Sequence, residues 1–237
     1  MKAVFFSDAH LAGDDPARVE TLKGFIKRVT EDADLVVVLG DLFEFYHGYE
    51  GYIYPPYREI VDLLRDVASG RSAYFVEGNH EFGMGRFFES YTGIRCVTTL
   101  SLNLDDKRVF LSHGDTVPRW HVHRLLKSRF VYAVMDHIGP ERTWRIAMVV
   151  RRLLSGRPRP RSEKVLALYR KYGGKKLAEG YDAVILAHSH LEDLEKYESN
   201  GAEKTYMNTG NLIASYTYGE YITGKGFALK TYDRREL

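Results

Sequence analysis

Five apolar runs in this chain end on the same kinds of residue. KAVFF (2–6) leads into Ser7-Asp8-Ala9-His10, and LVVVL (35–39) stops at Gly40-Asp41. AYFV (73–76) leads into Gly78-Asn79-His80-Glu81, RVFLS (108–112) into His113-Gly114-Asp115, and VILA (184–187) into His188-Ser189-His190. LVVVL is continuous and β-branched, the pattern of a strand buried on both faces. Helical periods separate the first three runs. One starts near Pro16, capped by Asp14 or Asp15, with Val19, Leu22, Phe25, Ile26 and Val29 on one face. The other spans Tyr57 to Ala68, with Ile60, Val61, Leu64 and Val67 inward. A β-α-β-α-β order predicts a parallel sheet. The carboxyl ends of such strands share one crevice, so residues far apart in the chain converge there.

That convergence is chemically coherent. Asp, Asn and His donors suit borderline divalent ions, namely Mn, Fe, Co, Ni or Zn. The donors are too many for a single ion that keeps an open position, and they suit two. Asp41 follows the run expected in mid-sheet, which makes it the natural bridging carboxylate. Two bridged ions activate water and clamp the oxygens of an in-line displacement, which is chemistry for a phosphate ester or anhydride.

Shorter strands are expected at Arg95 to Val97, Ser101 to Leu104, Leu194 to Glu198, Lys204 to Met207, Ile213 to Thr217 and Phe227 to Tyr232, the late ones antiparallel. Ser162 is expected to cap a helix running to Leu177. Between the fourth and fifth runs lies a basic, amphipathic segment, helical on both sides of Gly139-Pro140. From Arg119 to Arg161 it holds eleven basic and two acidic residues, a net +9, which leaves −7 for the rest of a +2 chain. A block of that charge meets anions. It forms either a helical layer packed on the sheet with solvated arginines, or a cap with an apolar groove and a cationic rim.

No apolar run nears the roughly 20 residues that span a bilayer. The start, MKAVFFSDAH, has no secretory hydrophobic region, and Cys96 is the lone cysteine. A cytoplasmic protein without internal disulfides is expected.

The ordered series SDAH, GDLFE, GNHE, HGD, HSH resembles the calcineurin-like metallophosphoesterase superfamily, over residues 8 to 190. The resemblance implies an α/β fold: a four-layer α-β-β-α sandwich of two mixed β-sheets, here one domain over 1–237 with a helical cap insertion at about 119–161. It implies that Asp8, His10, Asp41 and His190 hold one divalent ion, and that Asp41, Asn79, His113 and His188 hold the other, manganese foremost. It implies that His80 contacts the substrate phosphate and protonates the leaving oxygen, with Asn79 beside it.

Within the superfamily, SDAHL, GDLFE and the basic insertion look like UDP-2,3-diacylglucosamine pyrophosphohydrolases. These are peripheral enzymes of lipid A synthesis on the inner face of the membrane. They yield UMP and 2,3-diacylglucosamine 1-phosphate. The implied partner is therefore a nucleotide-linked lipid, with membrane contact through the basic helices. The alternatives are a general phosphodiesterase or nucleotidase, and more remotely a non-catalytic scaffold. Nucleic acid is not expected, because the basic segment lacks the basic-aromatic pattern of a known binding module. The sequence departs from these enzymes at His80-Glu81, where they often have Arg-Asp, and at Ala187, where they have Gly.

Arg119, His121, His123, Arg124 and Arg152 are candidate substrate contacts, although a solvated helix start is the better reading of His121 and His123. His47 and His137 lie off the strand ends. Glu44 reads as a partner orienting a ligand, and Cys96 as a buried strand residue. Tyr46, Tyr49, Tyr52, Tyr54 and Tyr57 make a loop that either packs beneath the surface or forms a lid.

Overall fold

The computed structural model describes residues 1–117, 126–154, 162–199 and 201–233. Its first sheet takes β1 (Lys2–Phe6), β2 (Leu35–Val38), β4 (Ser72–Val76) and β6 (Arg95–Val97), with two late strands, β12 (Thr217–Ile222) and β13 (Gly226–Thr231). The order is β13-β12-β1-β2-β4-β6, so β2 and Asp41 behind it sit in the middle. Pairing is parallel from β1 to β6, and β12 joins β1 antiparallel. The second sheet runs β10 (Glu192–Ser199), β11 (Ala202–Thr209), β9 (Ala183–Leu186), β8 (Lys107–Ser112), β7 (Thr99–Leu104). Its central β11-β9-β8 ladder is parallel and both edges are antiparallel. A two-residue parallel pair, β3 (Tyr46–His47) with β5 (Glu81–Phe82), links the second and third site loops.

Strand alternation sorts the side chains into layers. Ala3, Phe5, Leu35 and Val37 face Val109, Leu111, Ala183 and Ile185 in a core between the two sheets. Val4, Phe6, Val36 and Val38 turn the other way, onto α1 (Pro16–Thr30), α2 (Arg58–Ala68) and α3 (Gly85–Thr92). Phe110, Val184, Leu186 and Tyr206 pack on Tyr169 and Leu177 of α6 (Glu163–Ala178). The layers are therefore α-β-β-α, as expected. Burying one such Phe side chain is worth about 1.5–3 kcal/mol. Asp15 caps α1, accepting from the amides of Ala17 and Arg18. Ser162 stands at the start of α6, but its side chain makes no capping bond.

Within the described part of the basic segment, helices α4 (Arg129–Ile138) and α5 (Pro140–Leu154) flank Gly139, as the sequence predicts. They rest on the tyrosine loop. Tyr49 Oη donates to the Met135 carbonyl at 2.9 Å, Trp144 Nε1 donates to Tyr57 Oη at 3.3 Å, and His47 Nε2 lies 2.9 Å from Asp136. Tyr46, Tyr49, Tyr54 and Tyr57 are buried, with rings 5.3–6.4 Å apart. Of the two readings of this loop, the structure selects packing: it is the floor on which the inserted helices stand.

Besides the Ser162 cap, two expectations need correction. Ile213 to Thr217 is not a strand. Asn211 Oδ1 accepts from the amides of Ile213 and Ala214, which holds a turn, and β12 begins only at Thr217. Cys96 is half-buried rather than buried, because β6 is a sheet edge.

Candidate metal centre

All five motif loops meet at one end of the facing sheets. Their backbones are unusual. Seven non-glycine residues have positive φ among the described residues, and five of them are Asp8, His10, Asp41, His188 and His190. Left-handed backbone is costly for residues with a Cβ and persists where surroundings enforce it. Here hydrogen bonds do so. The amide of Asp8 donates to the Gly40 carbonyl at 3.0 Å and that of His10 to Asp41 at 2.9 Å. Asn208 Nδ2 donates to the carbonyl of Ala187, and Asn211 Nδ2 to that of His190, at 3.0 and 2.9 Å.

Among the described residues three clusters of potential donors result: Asp8, His10 and His190; His10, Asp41 and His80; Asp41, His113 and His188. In the first, His10 Nε2 and His190 Nε2 converge to 3.1 Å, and Asp8 Oδ1 lies 3.1 Å from His190 Nε2. In the third, His113 Nε2 lies 3.0 Å from His188 Nδ1, 3.2 Å from Asp41 Oδ2 and 3.3 Å from Asn79 Oδ1. The same Asp41 Oδ2 is 3.7 Å from His10 Nε2. Donors about 2.1 Å from a shared ion sit roughly 3.0–3.4 Å from one another, octahedral to tetrahedral.

The other atoms of these groups are already committed. Asp8 Oδ2 accepts from Ser7 Oγ and from the His188 amide, and Asp41 Oδ1 accepts from the His80 amide. His113 Nδ1–H donates to the Leu39 carbonyl at 2.7 Å, which leaves Nε2 as the inward atom. Asp8 Oδ1 is buried without a hydrogen-bond partner. An orphaned carboxylate oxygen facing two imidazole nitrogens is poor packing for protein alone and good packing for a cation. The donor set therefore fits divalent metal.

Electrostatics agree. Burial pulls His113 down, but the Asp41 and Asp8 carboxylates outweigh it and push the imidazole up to about 10. His10 likewise reaches about 10, burial being overcome by Asp8 and Glu44. Burial and the charge on His113 hold His188 down at about 3. Asp8 and Asp41 are held below the carboxylate range by these imidazoles, despite burial.

Beneath the cluster lies Glu81, fully buried, whose Oε2 accepts from the amides of Asp41 and Gly78, both at 2.8 Å. A Cβ on Gly78 would stand 2.2 Å from Asp41 Oδ1, so only glycine lets these loops close.

His80 sits at the rim. Its Nδ1–H donates to the Glu44 carbonyl at 2.6 Å, and its Nε2 is 4.0 Å from Asp41 Oδ2. Arg119, His121, His123 and Arg124 lie outside the described residues, and Arg152 is exposed on α5. The sequence reading missed Lys127, whose Nζ donates to the Gly78 carbonyl at 2.5 Å, and Arg151, which reaches Glu44. It also missed Asn208, Thr209 and Asn211. Thr209 Oγ1 lies 2.8 Å from Ser7 Oγ, which itself holds Asp8. The signal was present: NTGN closes β11, a strand end like those of the other five motifs.

Two facing mixed sheets, with Asp, Asn and His loops converging on clustered donors at one end, mark the chain as a metallophosphoesterase-type phosphohydrolase. The chain belongs to the calcineurin-like phosphoesterase family, whose model matches residues 1–192. It is 25% identical over 202 residues to a UDP-2,3-diacylglucosamine hydrolase of Haemophilus influenzae, covering 82% of this chain and 85% of that one. It is 38% identical over 117 residues to the enzyme of the same name from Aeromonas salmonicida, covering 48% of this chain and 46% of that one. The chain thus spans about half the length of several curated relatives it matches. A solved archaeal phosphodiesterase shares the fold, with TM-score 0.51 and 16% identity over 98% of this chain and all of that one (100%).

Proposed function

We propose that this protein is a dinuclear-metal phosphohydrolase that cleaves the diphosphate of UDP-2,3-diacylglucosamine, releasing UMP and 2,3-diacylglucosamine 1-phosphate. The single observation that carries the chemistry is the shared Asp41 Oδ2, which reaches His113 at 3.2 Å and His10 at 3.7 Å and so joins the two clusters. Asp8, His10, Asp41 and His190 would hold one ion, and Asp41, Asn79, His113 and His188 the other. Manganese heads the candidates; Fe, Co, Ni and Zn share the donor preference. When bound, the ions supply charge neutralisation and water activation for in-line attack at phosphorus.

The protein's own groups do the rest. Asn79 and His80 stand side by side at the rim. With Nδ1–H committed to a carbonyl, His80 works through Nε2, where a protonated ring gives its proton to the leaving oxygen. The inserted helices serve as a cap. Phe130 and Leu153 are 78% and 79% exposed, and Val134, Ile146, Val149 and Val150 are also exposed, next to Arg129, Arg142, Arg145 and Arg152. Apolar side chains interleaved with arginines suit acyl chains beside phosphate, and a bilayer surface that carries both. No helix among the described residues is long and apolar enough to cross a membrane.

The test is turnover by metal-stripped protein reloaded with Mn2+ or Co2+. The diacyl substrate in detergent should be cleaved, and Asp41→Ala should abolish it. Cleavage of a chromogenic phosphodiester without turnover of the lipid would move the reading to a general phosphodiesterase or nucleotidase. Activity indifferent to chelator and to Asp41→Ala would remove the metal chemistry, and no activity on any phosphoester would leave a scaffold.

A further inference from the structure

Each inward-facing imidazole needs something on its far nitrogen to set tautomer and ring angle. His113 has the Leu39 carbonyl and His80 has the Glu44 carbonyl. His10 is different. Its Nδ1 faces the Glu44 carboxylate, with Oε2 at 3.6 Å. That carboxylate is shielded, its side chain 13% exposed, and it has a second neighbour. Arg151, projecting from α5, places Nε 3.4 Å from the same Oε2 and Nη1 3.4 Å from Asp14 Oδ2. Burial raises the Glu44 carboxyl, but His10, His80 and Arg151 together hold it below the ordinary glutamate range, so it is an anion shared among cations.

Asp14 and Glu44 come from separate loops, one running out of the Asp8-His10 motif and one out of Asp41. A helix from the insertion is therefore fastened to both motif loops through one guanidinium, and the fastening shares an oxygen with the partner of His10. With α5 displaced, Glu44 would lose the Arg151 guanidinium and keep as its cationic neighbours the imidazoles of His10, 3.6 Å from Oε2, and His80, 3.9 Å from Oε1.

We propose that Glu44 is a positioning residue common to the metal centre and the cap, orienting His10 while its ion pair with Arg151 makes the placement of α5 and the affinity of the His10 metal position energetically linked. The proposal rests on the two-metal reading and adds to it a line of communication between substrate-binding helix and metal.

Co2+ titration of the metal-stripped full chain, followed by calorimetry and by the visible ligand-field bands, tests it. Wild type should take up two ions. Glu44→Ala should weaken one of them about 10–100-fold and alter its bands. Glu44→Gln, which keeps an acceptor but no charge, should recover part of the loss. Arg151→Ala touches no metal donor, yet should weaken the same ion, by less. The double variant Glu44→Ala/Arg151→Ala should match Glu44→Ala alone, because the arginine acts through the carboxylate. Isotherms of Glu44→Ala superimposable on wild type, or Arg151 and Glu44 effects that simply add, would overturn the proposal. A wild-type chain that takes up no Co2+ would instead remove the metal reading beneath it, before any variant is compared.

Discussion

Glu81 holds Asp41 by its backbone. The carboxylate accepts the Asp41 amide at 2.8 Å and, with the same oxygen, the Gly78 amide at 2.8 Å; its other oxygen faces the Phe43 amide at 3.4 Å. Asp41 sits in left-handed backbone, φ 51°, so an acceptor placed under its N–H fixes the carboxylate above. Read as sequence, Glu81 is merely the residue after His80. In the structure it is the peg that locks the second and third motif loops together.

Glu81→Ala should therefore strip the acceptor from two buried amides at once. A buried unsatisfied donor costs about 1–3 kcal/mol, so a clear drop in melting temperature is expected, together with weaker metal uptake. Glu81→Gln can present its carbonyl oxygen to the same amides and should lie between the two. Thermal unfolding of the metal-free chain checks this; an unchanged midpoint in Glu81→Ala would refute the role.

Asn211 does comparable service for His190. It is nearly buried, donates to the His190 carbonyl, and caps the turn at Ile213 and Ala214. Asn211→Ala should loosen only that arm. One metal position should weaken roughly tenfold, in line with losing a ligand's orienting partner, while the Asp41-His113-His188 position stays intact. Metal content after dialysis against graded chelator would separate the two. Equal loss at both would point to general unfolding instead.

Protons should be released when metal enters. In the metal-free chain His10 and His113 are pushed up to about 10, so both carry protons at neutral pH. Metal needs their lone pairs, and each must deprotonate first. Since raising pH removes the competing protons, affinity should climb between about pH 6 and 10 and fall toward acid. Calorimetry at pH 7 in buffers of different ionisation enthalpy should report about two protons released per chain filled. Zero release would contradict the charge states assigned to both imidazoles.

How much of this was written in the sequence depends on the range of the interaction. The β-α-β-α-β half was legible because LVVVL and the α2 face Ile60, Val61, Leu64 and Val67 carry their periods locally. The convergence of the seven candidate donors was legible because each stands at a strand end, where topology alone brings them together. Glu81 was not, since its partners are backbone amides from two loops that no residue type announces. Ile213 to Thr217 looked like a strand because Ile and Tyr favour one. What overrides that preference is a single side-chain oxygen, that of Asn211, ahead of the run. Arg151 was hidden among eleven basic residues until α5 was docked.

The tyrosine loop offers the sharpest contrast between readings of one segment. A lid would leave the fold's stability alone and govern substrate entry. A floor does the reverse. Tyr54 is fully enclosed, its ring 5.3 Å from Tyr46 and 5.8 Å from Tyr57, and its hydroxyl donates to the His47 carbonyl at 3.4 Å. Tyr54→Ala should cost about 3–5 kcal/mol, as large-to-small changes of buried aromatics do. Tyr57→Phe keeps the ring and removes the hydroxyl that meets Trp144 Nε1 and the Phe45 backbone, and should cost about 1–2 kcal/mol. Because α4 and α5 stand on these rings, Tyr54→Ala should also speed proteolytic cleavage within the insertion at temperatures where the sheets remain folded. Denaturant unfolding and timed proteolysis of both variants decide the matter. A Tyr54→Ala protein of native stability with an altered KM alone would return the loop to the role of a lid.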